Sequence, residues 1–516
     1  MFLEIGLFLA LVVGLIYLSF KRTFQYFKNR NIPYIESVSF PFGNFGSNLL
    51  GKESLATLTR DFYKNYKKHP AVGIFQFNEA NLLINHPELI KQCLVRDFSS
   101  FVDRGFPTND EIDPLNGHLF FSTGAKWRML RSKLSPTFTS GKIKQMFSII
   151  EKRSSHLVTY LEQFDGKEIE MKEFLARLLT DIISECAFGV ESNCIENSKS
   201  EFREWGKKAF TVDMKGVLVT FLATISPKIR DYFQIKTLDP KMTEFFINLV
   251  RDTMKYREEN NIQINDFMHF LIQLKNNERI KDDDDVSESK NNQLDGKGLT
   301  IEECAAQAFV FFLAGFETSS TTMSNALYEL AKNPEIQKQT QENIDQVFEK
   351  YNGKFTYESM AELGYLDNVI NETLRKHPPA PFLNRQVIKP VDIKWGDENR
   401  LVRLEKHLKI IIPVYGLHYD PEYFPDPERF DPERFNEVNT SRRHKYVFLP
   451  FGEGPRNCIG ARFGFLQTKL GLALLLRNFN FHFTANTPQN FTYQAYSIVL
   501  ATNEVLKLKI ERRFKE

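Results

Sequence analysis

One segment limits the architecture more than any other. Thr300 and Glu303 make the capping-box pattern, and the apolar-rich chain beyond them continues to Lys332, where Asn333 and Pro334 stop it. At 1.5 Å per residue this predicts a helix of about 45 Å, long enough to cross a whole domain. It is apolar on most faces, so its middle must be buried and the remaining chain built around it. That middle nevertheless contains Ala314, Gly315, Glu317 and Thr318. A mid-helix glycine costs about 1 kcal/mol relative to alanine. Either Gly315 permits a close helix contact, or something flat and bulky lies against the small residues while Glu317 and Thr318 handle protons beside it.

Composition narrows the class. With 42% hydrophobic and 26% charged residues the chain is an ordinary packed protein, which excludes wholesale disorder and a multi-span membrane protein. A length of 516 residues gives a soft expectation of about three domains. The balance of 67 Lys and Arg against 65 Asp and Glu provides no global field for nucleic acid, and no nucleic-acid partner is expected. The 48 Phe against 3 Trp and 18 Tyr imply a large apolar interior or pocket.

Phe2 to Phe20 is almost wholly apolar, and a helix of about 19 residues spans a bilayer core. Lys21, Arg22, Lys28 and Arg30 follow it, whereas a cleaved signal peptide needs its basic residues in front. A retained signal anchor is therefore expected, with its N-terminus across the membrane and the remaining chain in the cytosol. The expected division is a transmembrane anchor at 1–20, a linker at 21–53 and a catalytic domain at 54–516. Five cysteines without zinc-like spacing agree with a reducing compartment, and four of them (Cys93, Cys186, Cys194, Cys304) read as small buried hydrophobes.

Ser54 to Lys68 reads as a helix, and Ala71 to Phe77 and Ala80 to Ile84 as two short strands. Helical patterns then dominate, with strand signals returning at Leu408 to Val414, Phe479 to Phe483 and Val505 to Ile510. The expectation is a mainly α protein with small β-sheets. Asn276 to Lys297, which carries Asp282 to Asp285, reads as a solvated surface loop.

Cys458 stands apart. Phe451-Gly452-Glu453-Gly454-Pro455-Arg456-Asn457-Cys458-Ile459-Gly460 precedes an apolar helical run, Ala461 to Leu476. Glycines let backbone wrap closely around the sulfur, and the following helix turns its N–H groups and positive dipole end toward it, which favours a thiolate. Arg456 adds a cation. Such a loop suits a single axial thiolate ligand to haem iron.

These residues resemble the haem-binding loop of the cytochrome P450 superfamily of haem-thiolate monooxygenases. Glu372-Thr373-Leu374-Arg375 is similar to that family's E-x-x-R helix, and Pro432-Glu433-Arg434-Phe435 to the segment supplying the second arginine of a Glu372, Arg375, Arg434 network. Asp426 to Phe430 duplicates those letters, and the second copy is preferred for its distance to Cys458. Ala314-Gly315-Phe316-Glu317-Thr318-Ser319 resembles the oxygen-activation motif, and Trp127-Arg128-Met129-Leu130-Arg131 the helix that reaches the haem propionates. By the same resemblance Arg104, Arg385 and Arg456 are propionate partners, since carboxylates favour bidentate guanidinium. Phe451, Gly460, Ala314 and Gly315 join the cofactor-binding set. The motifs follow in family order, most like the microsomal animal clan of drug- and steroid-oxidising enzymes. A thin proline hinge, with only Pro33 and Pro41, and His69-Pro70 in place of a glycine-rich turn are its departures.

The resemblance implies the cytochrome P450 fold, a single catalytic domain behind its anchor, and haem b (iron protoporphyrin IX) on Cys458. It implies insertion of one oxygen atom of O2 into a lipophilic xenobiotic, steroid or fatty acid, with Glu317 and Thr318 relaying protons. No dinucleotide fingerprint is present, so electrons come from a separate protein. The implied partners are NADPH-cytochrome P450 reductase, with cytochrome b5 as a second donor, and membrane lipid. Lys126, Arg128, Lys133, Arg442, Arg443 and Lys445 are candidates for the basic docking face. The implied location is the endoplasmic reticulum membrane, crossed once. Phe309, Phe311, Phe312, Phe316 and Ala380 to Phe382 either line the substrate pocket or pack the core. Gly216 to Pro227 either dips into the membrane or is a buried helix. A haem-thiolate isomerase or dehydratase on the same fold, and a haem sensor or lipid-binding protein without turnover, are the alternative readings.

Overall fold

The computed structural model describes residues 2–210, 227–278, 297–395 and 400–514. Its axis is the helix Ile301–Lys332, capped as expected by reciprocal hydrogen bonds between Thr300 and Glu303. Most of its residues are buried from Cys304 to Ala331. Among the described residues, the helices Met171–Ile183, Pro240–Glu259, Gly364–Lys376 and Ala461–Asn478 pack most extensively against it. Each brings an apolar face, and together they form one continuous core.

The β part is small. Strands β1 (Ala71–Gln76), β2 (Glu79–Ile84), β3 (Glu168–Glu170), β4 (Leu383–Gln386), β5 (Val391–Trp395), β6 (Arg400–Leu404), β7 (Lys409–Ile412), β8 (Phe479–His482) and β9 (Lys507–Arg512) form three sheets. The largest runs β1-β2-β7-β4, with β1 and β2 antiparallel, β2 and β7 parallel, and β7 and β4 antiparallel. The parallel pair joins the first hundred residues to the last third of the chain, and β7 leads toward the Cys458 segment. Four strands escaped the sequence reading: β3 is three residues long, and β4, β5 and β6 mix Asn, Asp, Lys and Arg into their alternation. The β5–β6 ladder buries one face only, which is why polar residues fit it.

Ser54 caps the helix Leu55–Tyr66 by accepting from the Thr57 N–H at 3.1 Å. The N-terminal helix Phe2–Phe24 runs past the expected boundary at residue 20, is long and apolar enough to cross a membrane, and exposes Leu3, Leu7, Leu11 and Leu15. The stretch expected to be a linker instead packs on the largest sheet, with Phe27, Ile32, Ile35 and Phe45 buried and Tyr34 bridged to Gly73. Of Gly216 to Pro227 only the final proline, and of the Asn276 to Lys297 loop only 276–278 and 297, fall among the described residues.

Thr300→Ala removes the cap of the central helix at a cost of about 1 kcal/mol. Amide exchange over residues 301–304 is expected to accelerate while the helix middle keeps its protection; unchanged exchange there would contradict the cap's role.

Candidate active site

The loop before the last long helix is built by backbone geometry. Gly452 (φ 69°) and Gly454 (φ 78°) lie in the left-handed region. A side chain on Gly454 would also run into the Leu94 carbonyl, so no other residue fits. The Cys458 N–H donates to the Phe451 carbonyl at 2.8 Å and closes the loop. The helix Ala461–Asn478 follows directly and crosses the central helix: Phe463 meets Phe311 at 5.1 Å, and the Gln467 amide donates to the Gly315 carbonyl at 3.1 Å and to Ser319 Oγ at 2.7 Å. The Cys458 loop is thereby held beside the middle of the central helix.

Between them lies a hollow. Ala314 is exposed although its neighbours Phe312 and Phe316 are fully buried. Cys458 is the one exposed cysteine of the five, yet protein surrounds it on every side. A group that is deep in the protein and still keeps accessible surface faces internal space. Burial pushes the Cys458 thiol above its ordinary range, and the Gly460 backbone, Arg104 and Arg131 oppose that shift. The loop's donors do not by themselves overcome burial, whereas a bound metal cation deprotonates a coordinating thiol outright.

Cations crowd the rim. Arg385 and Arg456 are buried at 1% and 2% exposure, and Arg104 lies beside them. Burial holds all three guanidinium groups below their ordinary range, Arg104 at about 10 and Arg456 at about 9, and mutual repulsion adds to the effect at Arg385 and Arg456. Asp103 is 3.7 Å from Arg456, and the Nε atoms of Arg104, Arg385 and Arg456 have no partner. Such a cluster calls for anionic oxygens. Trp127 lies under Arg456, 5.0 Å from its guanidinium carbon. Arg131 donates to the Asn457 carbonyl at 2.9 Å and to Asn457 Oδ1 at 2.8 Å, so it braces the Cys458 loop.

The Glu372 network holds the opposite side of the loop. Glu372 and Arg375 are fully buried and joined by two hydrogen bonds at 2.7 and 2.8 Å. Arg434 Nε stands 3.4 Å from Glu372 Oε1, and the Asp431 N–H donates to the same oxygen at 2.9 Å. The second of the two similar segments therefore supplies the arginine side chain; the first contributes backbone carbonyls, that of Arg429 to Arg375 at 3.4 Å and that of Asp426 to Arg434 at 2.8 Å. His418 was not singled out from the sequence. Its Nδ1–H donates to the Arg375 carbonyl at 3.1 Å, and its Nε2 accepts the Leu449 N–H at 3.0 Å. One imidazole thus ties the Glu372 helix to the entry of the Cys458 loop, and burial with Arg375 beside it pushes its pKa down to about 3.

Several expected roles change. Gly315 presents its bare Cα to Ile183 of the helix Met171–Ile183, so it serves close helix packing, and Ala314 is the exposed residue of the pair. Thr318 Oγ1 donates to the Ala314 carbonyl at 2.6 Å, while Glu317 accepts from Lys172 at 2.8 Å on the neighbouring helix. Phe309, Phe311, Phe312 and Phe316 are buried core rings, packed against Phe246, Phe267 and one another. Phe382 packs on the largest sheet. Half-exposed rings sit instead at Phe106, Phe120 and Phe121, with Phe120 stacked on Arg104. Of the six basic residues expected on a docking face, Lys133 is buried on the Lys297 carbonyl at 2.6 Å, and Arg443 is drawn in between Phe424 and Phe435. Lys126 is paired with Asp110 and Glu303, and Arg128, Arg442 and Lys445 remain exposed.

A family profile described as "Cytochrome P450" matches residues 40–509. The chain belongs to the cytochrome P450 family. It is 39% identical to "Probable cytochrome P450 6a14" of Drosophila melanogaster over 98% of both chains. It is also 39% identical to "Cytochrome P450 6a8" over 95% of both, and to "Cytochrome P450 6a2" over 99% of this chain and 100% of that one, both from the same organism. The protein is thus a haem-thiolate monooxygenase of lipophilic small molecules, with haem b held through a cysteine thiolate and electrons supplied by a separate reductase. The residues present fit that cofactor: a small-residue wall at Ala314, a single hollow-facing cysteine, and arginines whose buried Nε atoms have no partner and could meet two propionates.

Glu372→Leu leaves Arg375 and Arg434 as buried unpaired cations, at a cost of about 3–5 kcal/mol. Soluble, haem-loaded protein is expected to be lost, and Arg375→Lys is expected to rescue little because it gives up the two-point contact. Two of the buried imidazoles, His118 and His418, are both held near pKa 3, and their effect has a sign that can be checked. Their folded values lie below the unfolded one, so the stability they contribute is present above about pH 6.5 and is lost as pH falls toward about 3. The thermal midpoint should drop between pH 7 and 5, and His418→Gln should flatten that slope by up to about 2 kcal/mol in stability.

Proposed function

We propose that Cys458 is the axial haem ligand and that Arg104, Arg385 and Arg456, with Trp127 beneath them, seat the propionates. The observation that carries this reading is the cluster of buried, mutually repelling guanidinium groups beside the one cysteine that faces the hollow. Bound there, haem supplies O2 binding and the reductive cleavage of its O–O bond. The chain's own residues do the rest. Gly454 and Phe451 shape the loop, Arg131 braces it through Asn457, and Gly460 offers its backbone to the sulfur.

Thr318 and Glu317 handle the protons. The Thr318 hydroxyl rests on the Ala314 carbonyl at the wall of the hollow, from which it can turn and donate a proton into the hollow. Glu317 is the adjacent acid and resupplies it. The half-exposed rings of Phe106, Phe120 and Phe121 form an apolar wall beside Arg104, where a lipophilic xenobiotic, steroid or fatty acid is held.

Arg128, Arg442 and Lys445 form the exposed remainder of the basic face. There NADPH-cytochrome P450 reductase docks, with cytochrome b5 as a second donor. The apolar N-terminal helix anchors the chain in the endoplasmic reticulum membrane, and Lys21 and Arg22 at its end keep the catalytic domain cytosolic.

The reduced, carbon-monoxide-bound protein is expected to show the red-shifted Soret band of thiolate ligation and to lose it in Cys458→Ala. Retention of that band would overturn the ligand assignment. Thr318→Ala should divert NADPH consumption away from product, roughly tenfold or more by the range for positioned acid–base groups. Charge reversal at Arg128, Arg442 and Lys445 should lower reductase-supported turnover and spare peroxide-supported turnover.

A further inference from the structure

A cavity of about 900 Å³ is walled by none of the residues assigned to haem. It lies against the end of the central helix at Tyr328, Glu329 and Lys332, the end of the helix Gly364–Lys376, the first turns of the helix Leu55–Tyr66 and the segment 489–497. A space of that size admits a drug-sized molecule. No step of the oxygen chemistry uses it.

Its lining gathers rings that carry donors. Tyr415 meets Tyr419 and Tyr493, with ring centroids 4.9 and 6.1 Å away. Arg60 stands over them, its guanidinium carbon 5.1 Å from the Tyr415 ring and 6.0 Å from that of Tyr419. Phenols taken out of water ordinarily find a strong partner. These have weak ones. The Tyr415 and Tyr493 hydroxyls are 3.5 Å apart, Arg60 reaches the Tyr415 hydroxyl at 3.4 Å, and its other contact is Asp61 at 3.5 Å. The Tyr419 hydroxyl has no hydrogen-bond partner among the described residues, and its side chain keeps accessible surface although protein surrounds it on every side, so it faces the cavity. Burial holds the Tyr419 and Tyr493 phenols well above their ordinary range, and both remain neutral O–H donors. Four donor groups thus converge on one space without an acceptor among them.

The charges point the same way. Glu329, buried at 1% exposure, is already held by His377 at 2.7 Å and Lys376 at 3.1 Å, and against the pull of burial these partners keep its carboxyl below its ordinary range. Nearer solvent, Glu53 accepts from Ser47 at 2.8 Å, Glu428 is exposed, and Lys52 and Lys332 have no ion pair among the described residues. Four Lys and Arg side chains (Lys52, Arg60, Lys332, Lys376) against three Glu leave the lining one positive charge in surplus. That surplus suits a single negative charge and not a polyphosphate. Tyr328 and Phe491, 4.6 Å apart, add flat apolar faces for rings. We infer that this cavity is a second ligand site, separate from the haem hollow, for a ring-bearing organic monoanion such as an aryl carboxylate or sulfonate. The anionic head takes the hydrogen bonds of Arg60 and the three tyrosine hydroxyls, and the rings lie along Tyr328 and Phe491.

The test uses the full-length haem-loaded enzyme with its haem hollow filled by an iron-coordinating azole, whose Soret shift reports occupancy. Naphthalene-2-sulfonate is the probe, titrated by calorimetry. One molecule is expected to bind per chain with the azole in place, and the neutral naphthalene-2-sulfonamide about tenfold more weakly or worse, the usual loss when hydrogen bonds to a charged group are removed. Arg60→Gln should weaken the sulfonate by about tenfold and change the sulfonamide little. Tyr419→Phe combined with Tyr493→Phe keeps the rings, removes two hydroxyls and should weaken the sulfonate by about tenfold as well. The azole spectrum shows that each variant is folded and loaded, and if Arg60→Gln is not, the double phenylalanine variant decides. A crystal structure with the probe should place the sulfonate within hydrogen-bond distance of the Arg60 guanidinium and Tyr419 Oη. Binding that the azole abolishes puts the probe in the hollow and overturns the inference. So does equal affinity for the sulfonamide, or sulfonate affinity that neither variant lowers.

Discussion

A single carboxylate organises the side of the molecule that carries Cys458. Glu372 accepts two hydrogen bonds from Arg375, faces Arg434 and takes the Asp431 N–H, all away from water. Burying one acid with two guanidinium groups is tolerable only when the geometry is good and the remaining donors are paired. They are paired here by backbone: Arg375 donates to the His418 carbonyl, and Arg434 to the Asp426 carbonyl. This ion cluster fastens the segment 426–449 to a rigid helix, and the loop that begins at Phe451 inherits its position from that anchorage.

The other side of the site is built on the opposite principle. There charge is left largely uncompensated: burial and neighbouring guanidinium groups hold Arg385 and Arg456 below their ordinary range, and among the described residues Asp103 is the carboxylate that reaches Arg456. The protein stores a local electrostatic cost there, which the acids of a cofactor held as proposed would relieve.

Much of this was legible because its residue types are rare where they stand. An acid, a glycine and a hydroxyl in a helix too apolar to face solvent, or glycines at positions where only left-handed backbone closes a loop, declare themselves in a sequence. The capping box at Thr300 was legible for the same reason. What stayed hidden depends on direction. Glu317 and Thr318 are adjacent in sequence and point to different partners, and no spacing rule gives the partner Lys172, which lies on another helix. His418 was hidden because a lone histidine in an apolar stretch is usually a satisfied core group. Arg443 and Lys133 looked like surface charge, yet a π-stack and a carbonyl draw them inside. Short strands such as β4 carry no periodicity of their own, and their pairing with β7 makes them strands.

The pairing of β2 with β7 has a consequence in time. Asn81 to Leu83 lie beside Lys409 to Ile411, more than three hundred residues later in the chain. Contacts of such separation form late, because loop closure must be completed before they are rewarded. Arg104 and Trp127 emerge from the ribosome long before Arg385, Arg456 and Cys458. The early half of the cradle therefore waits, its charges solvated, until the last quarter of the chain arrives. The cofactor can be captured only by a nearly finished protein: a chain truncated before Cys458 would contain every strand of the largest sheet and still lack the proposed ligand.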